Sequence, residues 1–324
     1  MKILLISYYF EPDLSAGSFR STALMKELIK RGHKVDVITT KPNRYKSFKS
    51  QNSKIKENIN LNIFRIDTKN STDSLLRELF SFAIFFFNAI KIAKMKNYDL
   101  IYATSSRLLT AFLGAVVGKI TNTKLYLDIR DIFYESARDV VPVLIFYISA
   151  PLIKLIENFT LKTAAHLNLV SEGFKSYFIS KKEIKSISYH TNGIDEEFLN
   201  YNFLDESMEN SNINILYAGN VGNGQALEKI VPSFIAKLSS KYNFKIIGDG
   251  SKRDILMNKC KHLKNITILD PMSRESLLDE YKVADILFLH LDKVDAFRKV
   301  IPSKLFEYAS TGKPILAGVE GFPR

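Results

Sequence analysis

The chain has 324 residues, of which 46% are hydrophobic and 25% are charged, so its composition excludes a disordered or a fibrous protein. This length allows two domains, each with its own core. Lys and Arg number 46 against 34 Asp and Glu, and the net charge of +12 favours polyanions or an anionic membrane surface as partners, unless it only reflects a lysine-rich composition. The single cysteine, Cys260, excludes an internal disulfide framework and predicts a reducing, cytoplasmic location.

The beginning of the chain predicts a complete βαβ unit. The apolar run "KILLISYY" is typical of a buried strand, the stretch from Ser18 to His33 has helical spacing and a stop at Gly32, and "KVDVITT" predicts a second strand. No small-residue cleavage site follows the first run, so it is interpreted as a strand rather than a signal peptide. Such units imply a parallel sheet with helices on both faces.

The rest of the first half continues this alternation. Strands are predicted in "LNIFRI", "YDLIYAT", "KLYLDIR" and "HLNLVS", with long helices near 74–95, 105–119 and 142–164. Two apolar stretches in these helices, 79–92 and 140–153, come close to a membrane span but contain no uncharged run of the roughly 18 residues that a span requires. They are interpreted either as contacts with a membrane interface or as helices that pack on the sheet.

The alternation then restarts after a polar segment. Strands are predicted in "INILYAGN", "FKIIGDG", "ITILD", "DILFLH" and "PILAG", with helices from about Leu227 and near 251–262, 274–283 and 304–310. We therefore predict a first domain at 1–200, a linker at 201–212 and a second domain at 213–324. Two consecutive α/β halves favour two Rossmann-like domains that face one cleft.

Ligands of open α/β sheets bind beyond the carboxyl ends of the strands, and four loops in such positions have unusual sequences. The first loop contains Gly17 just before a helix. Glycine lets backbone N–H groups approach a ligand, the helix N-terminus favours an anion, and Arg20 adds a positive charge. An ordinary tight turn is the alternative.

The second and third loops are rich in glycine. The glycines of the second loop are Gly219, Gly222 and Gly224, and those of the third are Gly248 and Gly250. The spacing in the second loop matches neither the dinucleotide fingerprint nor a P-loop, but it suits a diphosphate held by backbone amides. A structural turn is the alternative. A nicotinamide-dependent enzyme is a distant alternative. Such enzymes carry an acidic residue at the end of the strand that follows the glycine loop, and Asp249 is in a similar position.

The fourth loop places Asp128, Arg130 and Asp131 at the end of a predicted strand. A carboxylate there can act as a base or orient a hydroxyl group of a substrate. The alternative is a local ion pair with Arg130.

Several kinds of chemistry are not expected. The five histidines lack metal-ligand spacing, and no Asp-x-Asp pair is present, so we predict a mechanism without a metal. The charge allows a nucleic-acid partner, but the basic residues form no continuous helical stripe and no nucleic-acid-binding module is visible.

The segment from Arg298 to Gly318 combines a short helix with a strand. Ser303, Lys304 and Glu307 are three and four residues apart and share one face of the helix. One interpretation is a solvated ion pair between Lys304 and Glu307. The other is that Glu307 accepts hydrogen bonds from ribose hydroxyls while Lys304 and the helix N-terminus meet phosphate.

Six segments together resemble the family 4 retaining glycosyltransferases of the GT-B fold, above all those of bacterial O-antigen and capsule assembly. These segments are "YYFEPDLSAGSFRSTALMKELIKRGHKVDVIT", "LVSEGF", "TNGID", "YAGNVGNGQALEKIV", "IIGDGSKRDIL" and "IPSKLFEYASTGKPILAG". The resemblance implies that the second domain binds a nucleotide-sugar, a UDP-sugar rather than a GDP-sugar. It also implies an acceptor bound mainly by the first domain, transfer with retention, and no metal or other cofactor.

The resemblance assigns roles to individual residues. Glu307 matches the family's ribose-binding glutamate, and Gly17 matches a glycine near the donor phosphates. Gly219 and Gly222 fall in the diphosphate loop, and Gly248 belongs to the next glycine loop of the donor side.

Asp128 or Asp131 falls where the family places polar residues that face the acceptor and the transferred sugar. The resemblance names no base, because same-face attack assisted by the donor phosphate is an alternative.

The sequence departs from the family pattern at three points. Lys299 stands where the family has the first glutamate of a pair, and Asn220 stands near the place of a basic pair. We therefore expect Arg298, Lys299 or Lys304 to meet the charge of the phosphates. The family continues beyond the point where this sequence ends, so the second domain is predicted to be incomplete. The chain is then expected to be either a truncated form or one that another polypeptide completes.

The sequence thus predicts a retaining hexosyl- or N-acetylaminosugar transferase of cell-surface polysaccharide biosynthesis. Its acceptor is expected to be a polyprenyl-diphosphate-linked saccharide, and its location the inner face of the plasma membrane. The alternative is an inactive nucleotide-sugar-binding remnant of such an enzyme.

Overall fold

The computed structural model describes residues 1–42, 55, 58–68, 75–105, 108–140, 142–181, 184–203 and 212–323. They form two compact units, one within residues 1–192 and one within residues 193–323. Most of the predicted linker lies outside the described residues, so the predicted domain boundaries stay predictions. Phe198 and Phe203 pack in the core of the second unit, although residues up to 200 were assigned to the first domain.

The first unit contains a seven-stranded parallel sheet in the order β3-β2-β1-β4-β5-β6-β7. Its strands are β1 (Lys2–Ile6), β2 (Lys34–Thr40), β3 (Leu61–Ile66), β4 (Leu100–Thr104), β5 (Leu125–Ile129), β6 (His166–Leu169) and β7 (Ile187–Tyr189). Its helices are α1 (Ala16–Lys30), α2 (Leu75–Ala93), α3 (Leu108–Thr121), α4 (Phe133–Val140), α5 (Val143–Thr163) and α6 (Lys175–Ile179). The central strands are mainly apolar because helices cover both faces of the sheet, and Ile3 to Ile6 of β1 are buried.

The second unit contains a five-stranded parallel sheet in the order β10-β9-β8-β11-β12. Its strands are β8 (Ile213–Ala218), β9 (Tyr242–Ile247), β10 (Ile266–Leu269), β11 (Ile286–His290) and β12 (Ile315–Gly318). Its helices are α7 (Glu196–Leu199), α8 (Leu227–Ile235), α9 (Arg253–Cys260), α10 (Arg274–Val283) and α11 (Ser303–Ser310). Alternate residues of β8 enter two separate cores, Leu216 on one face and Tyr217 on the other.

Each sheet reverses its strand order once, and this reversal positions the candidate sites. In the first unit the reversal lies between β1 and β4, and in the second unit it lies between β8 and β11. The loops that leave the two strands at such a point diverge to opposite faces and leave space for a ligand at the carboxyl edge.

The predicted strands and long helices are confirmed. The predicted helix at 105–119 begins at Leu108 in the structure, and residues 106–107 are not described. Four elements in the described part of the chain were missed, namely α4, α6, α7 and β7. α4 has a polar, charged sequence, and the other three are five, four and three residues long, too short to show a periodicity.

Asp36 of β2 is a buried carboxylate that ties three segments of the first unit together. It accepts hydrogen bonds from Asn62 Nδ2 at 2.6 Å, Lys96 Nζ at 2.9 Å and Tyr98 Oη at 2.8 Å. Burial raises the pKa of Asp36, but the three donors outweigh burial and hold the pKa below its ordinary value of 3.8.

We predict that Asp36→Ala lowers the free energy of unfolding by about 2–3 kcal/mol at pH 7, because Tyr98 and Lys96 lose a charged acceptor. The folded-state pKa is depressed, so this contribution is complete well above pH 3.8 and is lost as pH falls through the folded-state pKa. Urea titrations of the two proteins at pH 7 and at pH 3 measure both effects.

Asp67→Ala is the matched control. Asp67 pairs with Lys41 at 2.8 Å, but both side chains are 60% exposed. This pair is expected to contribute less than about 1 kcal/mol. Equal losses in the two variants would contradict the role given to Asp36.

Candidate functional site

The candidate site of the second unit lies where the strand order reverses. The loop after β8 and the loop after β11 are joined there, since Asp292 N donates to Gly224 O at 2.9 Å. His290 Nδ1 and the carbonyl oxygen of Gln225 lie 2.7 Å apart. The ring of Phe297 lies against Gly224, where a side chain would collide with it. The two loops therefore form one surface at the carboxyl edge of the sheet.

The predicted glycine loops contact each other through their backbones. Gly219 N donates to Ile247 O at 2.8 Å, and Val221 N donates to Asp249 O at 2.9 Å. Gly248 has a φ of 156°, and a Cβ atom on it would overlap the carbonyl oxygen of Gly219. Glycine is thus required at this position for the close packing of the two loops. The amides of Gly219 and Val221 are already used by carbonyl groups.

Asn220 and Gln225 shape the loop after β8 from within. Asn220 Nδ2 donates to Gln225 Oε1 at 2.8 Å, and the carbonyl oxygen of Asn220 accepts a hydrogen bond from Tyr217 Oη at 2.6 Å. Gly222 lies directly beside the Asn220 side chain, which leaves no room for a Cβ atom. Asn220 and Gly222 are therefore near the site, and the side chain of Asn220 has a partner within its own loop.

Lys304 of α11 reaches the same loop. Its side chain packs against the Cα of Gly219, and its Nζ lies 5.0 Å from the centroid of the Tyr217 ring. Ser303, one residue earlier, is the first residue of α11 and is partly buried. The structure thus brings a lysine at the start of a helix next to a glycine loop, and the phosphate contacts of Ser303, Lys304 and Gly219 stay predictions.

Glu307 lies one turn further along α11 and is held by an arginine. Arg274 Nη1 donates to Glu307 Oε1 at 3.0 Å, while Arg274 Nη2 lies 2.6 Å from Asp195 Oδ2. Tyr281 Oη donates to Glu307 Oε2 at 3.3 Å. Burial lowers the pKa of Arg274, but Glu307 and Asp195 outweigh burial and raise it above its ordinary value.

This ion pair is not the one that the sequence suggested. The carboxylate of Glu307 pairs with Arg274, which is 33 positions away in the chain, and Lys304 points to Gly219 instead. A carboxylate has about four lone-pair sites, so Glu307 retains acceptor capacity beside its two intramolecular donors. Arg274, Tyr281 and Asp195 were missed because no local spacing connects residues so distant in sequence.

Arg298 and Lys299 lie in a 3₁₀ turn at 295–299. Arg298 Nη2 pairs with Glu320 Oε2 at 2.6 Å, and its Nη1 lies 3.5 Å from Asp295 Oδ1. The charge of Arg298 is therefore already matched by acidic neighbours. Lys299 is partly buried.

In the first unit, Gly17 is the second residue of α1 and is buried. The side chain of Ser15 caps this helix by accepting a hydrogen bond from Ser18 N at 3.2 Å. One N–H of the helix N-terminus thus has a partner within the chain.

Asp128 is 1% exposed and is held by Arg20 rather than by Arg130. Arg20 Nε and Nη2 donate to its two oxygens at 2.8 and 2.9 Å, and Asn168 Nδ2 donates to Oδ1 at 2.7 Å. Burial lowers the pKa of Arg20, but Asp128 outweighs burial and raises it. Asp131 is exposed, so the structure does not place the two aspartates in one environment.

Arg20 also connects this carboxylate to the loop after β7. Its Nη1 donates to Thr191 O at 2.6 Å, and its Nη2 donates to His190 O at 3.0 Å. Arg130 contacts the same loop, since its Nη1 donates a hydrogen bond to Asn192 Oδ1 at 3.1 Å. The two arginines therefore fix the carboxyl ends of β5 and β7.

Within the described residues, no group of three or more His, Cys, Asp and Glu side chains is arranged to hold a metal ion.

The fold is that of known glycosyltransferase structures. The chain matches Anabaena HepE in complex with UDP and glucose at a TM-score of 0.66 and 15% identity, over 99% of this chain and 81% of that one. It matches the sucrose-phosphate synthase of Thermosynechococcus elongatus at a TM-score of 0.71 and 14% identity, over 99% of this chain and 82% of that one. It also matches WaaG, a glycosyltransferase involved in lipopolysaccharide biosynthesis, at a TM-score of 0.62 and 14% identity, over 99% of this chain and 82% of that one.

No protein-family model matches the chain, and no curated protein matches it in sequence. At these identities the structural matches show the fold alone. That fold is GT-B, with two Rossmann-like domains, which confirms the fold class predicted from the sequence.

We predict that Gly248→Ala destabilises the second unit by about 2 kcal/mol or more, because its Cβ would collide with the carbonyl oxygen of Gly219. Gly193→Ala is the matched control, since a Cβ there has nothing within 4 Å. Thermal unfolding of both variants measures the difference. Equal melting temperatures would contradict the prediction, because they would show that the loops after β8 and β9 can move apart without a loss of stability.

Proposed function

We propose that the protein is a glycosyltransferase that uses a nucleotide-sugar donor, with the second unit as the donor site. The observation that carries the proposal is the cluster at the strand reversal, where Lys304 lies on Gly219 and Glu307 is held one turn away. The GT-B fold over 99% of the chain supports it, and HepE with this fold is found with UDP and glucose. A UDP-sugar is the proposed donor.

Each side chain of the cluster has a proposed part in donor binding. The ammonium of Lys304 and the N-terminus of α11 stabilise the diphosphate, because both carry positive charge towards the loop after β8. Glu307 accepts hydrogen bonds from the ribose hydroxyls. Arg274 and Tyr281 are positioning residues, since their hydrogen bonds fix the direction of the Glu307 carboxylate.

The acceptor is proposed to be a polyprenyl-diphosphate-linked saccharide bound mainly by the first unit, with transfer of a hexosyl or N-acetylaminosugar group and retention of configuration. WaaG, which shares the fold, supports a role in cell-surface polysaccharide biosynthesis at the inner face of the plasma membrane. A positioning role is proposed for Asp128, because Arg20 and Asn168 already engage both of its oxygens. Direct action of Asp131 on the acceptor stays a prediction.

We predict that UDP raises the melting temperature of the protein more than GDP does at equal concentration, because a ligand of the folded state stabilises it.

Lys304→Ala should lower the affinity for both UDP and inorganic pyrophosphate about tenfold, the equivalent of about 1.4 kcal/mol. Glu307→Gln should weaken UDP but leave pyrophosphate unchanged, since the carboxylate is assigned to ribose. Isothermal titration measures the affinities.

Lys237→Ala is the control for the loss of one charge, because Lys237 is exposed on the same unit and away from the loops described above. Unchanged UDP affinity in Lys304→Ala would contradict the proposed donor site.

Turnover is tested separately by the release of UDP from UDP-sugars in the presence of a membrane extract. Donor binding without any release of UDP would favour the inactive remnant that the sequence left as an alternative.

A further inference from the structure

Arg130 of the first unit carries a positive charge that the described residues do not pair. It follows β5 directly, so it lies at the carboxyl edge of the sheet, and it is partly buried. Its guanidinium group donates one hydrogen bond, from Nη1 to Asn192 Oδ1 at 3.1 Å, and this acceptor is neutral. Among the described residues, no carboxylate oxygen lies within 4.0 Å of its side-chain nitrogens. A guanidinium group has five N–H donors, so most of those of Arg130 remain for a ligand.

The other two arginines of the candidate sites differ from Arg130 in this respect. Arg20 and Arg274 pair with carboxylates, which outweigh burial and raise the pKa of both arginines. For Arg130 burial is the largest effect and lowers the pKa, although the charges of Asp128 and Asp131 oppose it. Asp128 thus lies near two arginines, and it forms an ion pair with only Arg20.

Neutral groups hold Arg130 in place at the carboxyl edge. Its backbone N donates to Ser105 Oγ at 2.7 Å, and Ser105 is the residue that follows β4. Its side chain is bound to Asn192, in the loop after β7. Arg130 is therefore connected to the ends of β4 and β7 before any ligand binds, and such preorganisation lowers the entropy cost of binding.

Asn192 places a second donor beside the guanidinium group. Because Asn192 Oδ1 accepts the hydrogen bond from Arg130, the orientation of the side-chain amide is fixed. Its Nδ2 has no hydrogen-bond partner among the described residues. Arg130 and Asn192 thus offer a charged and a neutral donor side by side.

We propose that Arg130 and Asn192 bind a phosphate group of the acceptor in the first unit. This inference rests on the proposed function, in which the acceptor carries a diphosphate. The planar guanidinium group matches the geometry of a phosphate group, because two of its N–H donors can meet two phosphate oxygens. A phosphate also supplies the negative charge that the described residues do not place beside Arg130. A saccharide hydroxyl would leave this partly buried charge unpaired, and an unpaired buried charge is costly.

The first test measures phosphate binding by isothermal titration of the full chain. Geranyl diphosphate is the water-soluble probe for a prenyl-diphosphate acceptor, and saturating UDP occupies the proposed donor site. Arg130→Gln should lower the affinity for the probe about tenfold or more, because it removes the charge and the planar fork. Arg130→Lys keeps the charge and should lower the affinity less. Asn192→Ala should lower it about threefold through the loss of one neutral donor.

Two variants are controls for this titration. Lys119→Gln removes one exposed positive charge from the last turn of α3, at the opposite edge of the sheet, and should bind the probe like the parent. Lys304→Ala changes the proposed donor site and, at saturating UDP, should also bind the probe like the parent.

The second test separates ligand binding from a structural role. Without ligand, the melting temperature of Arg130→Gln should equal or exceed that of the parent, because the change removes a partly buried charge that has no counter-charge. Arg20→Gln should lower the melting temperature by several degrees, since Asp128 then stays buried without its charged donor. An equal decrease in both variants would show that Arg130 holds the fold and would overturn the proposal.

The titration also identifies the source of the phosphate. No binding of geranyl diphosphate by the parent, or equal affinities of the parent and Arg130→Gln, would overturn the proposal. Lower UDP affinity in Arg130→Gln with unchanged affinity for geranyl diphosphate would assign Arg130 to the donor phosphates and overturn it as well. Binding of geraniol that depends on Arg130 would contradict recognition of an anion. UDP affinity is expected to be unchanged in Arg130→Gln, so failure of this inference is distinct from failure of the proposed donor site.

Discussion

The parallel arrangement of both sheets is the constraint on which the rest of the structure depends. Every strand must be followed by a crossover, so all carboxyl ends collect at one edge of each sheet. Loops that are far apart in sequence, such as those after β8 and β11, therefore meet there. The reversal of strand order decides which two loops form a site.

Both candidate sites use an arginine to hold a carboxylate, which is buried in Asp128 and partly buried in Glu307. Arg20 clamps Asp128 in the first unit, and Arg274 clamps Glu307 in the second. A buried carboxylate without such a donor would be costly, and the planar guanidinium group also fixes its direction. The consequence differs between the sites: both oxygens of Asp128 accept short charged hydrogen bonds, whereas Glu307 Oε2 accepts a longer one from Tyr281. This difference is why substrate contact is proposed for Glu307 and a positioning role for Asp128.

Apolar helices in this fold have two different roles that composition does not separate. α3 is apolar and packs between its neighbours, with Leu113, Ala115 and Val117 buried. α5 is also apolar, but it leaves most of its side chains in solvent. Burial of its exposed apolar side chains by a partner would provide a free-energy gain that folding of the described residues does not supply.

Hydrophobic periodicity in the sequence was sufficient for the α/β alternation, because buried parallel strands and amphipathic crossover helices have distinct local patterns. The spacing of the glycines indicated the loops after β8 and β9, and helix start and stop residues indicated the helix that carries Lys304. The partners of Glu307 and Asp128, the backbone contact of Gly219 with Gly248, and the exposure of α5 were decided by the tertiary structure. These contacts join residues up to 108 positions apart, and no local pattern encodes which side chains such a distance brings together. Local physics thus determined the elements, and packing determined what each polar group and each apolar face meets.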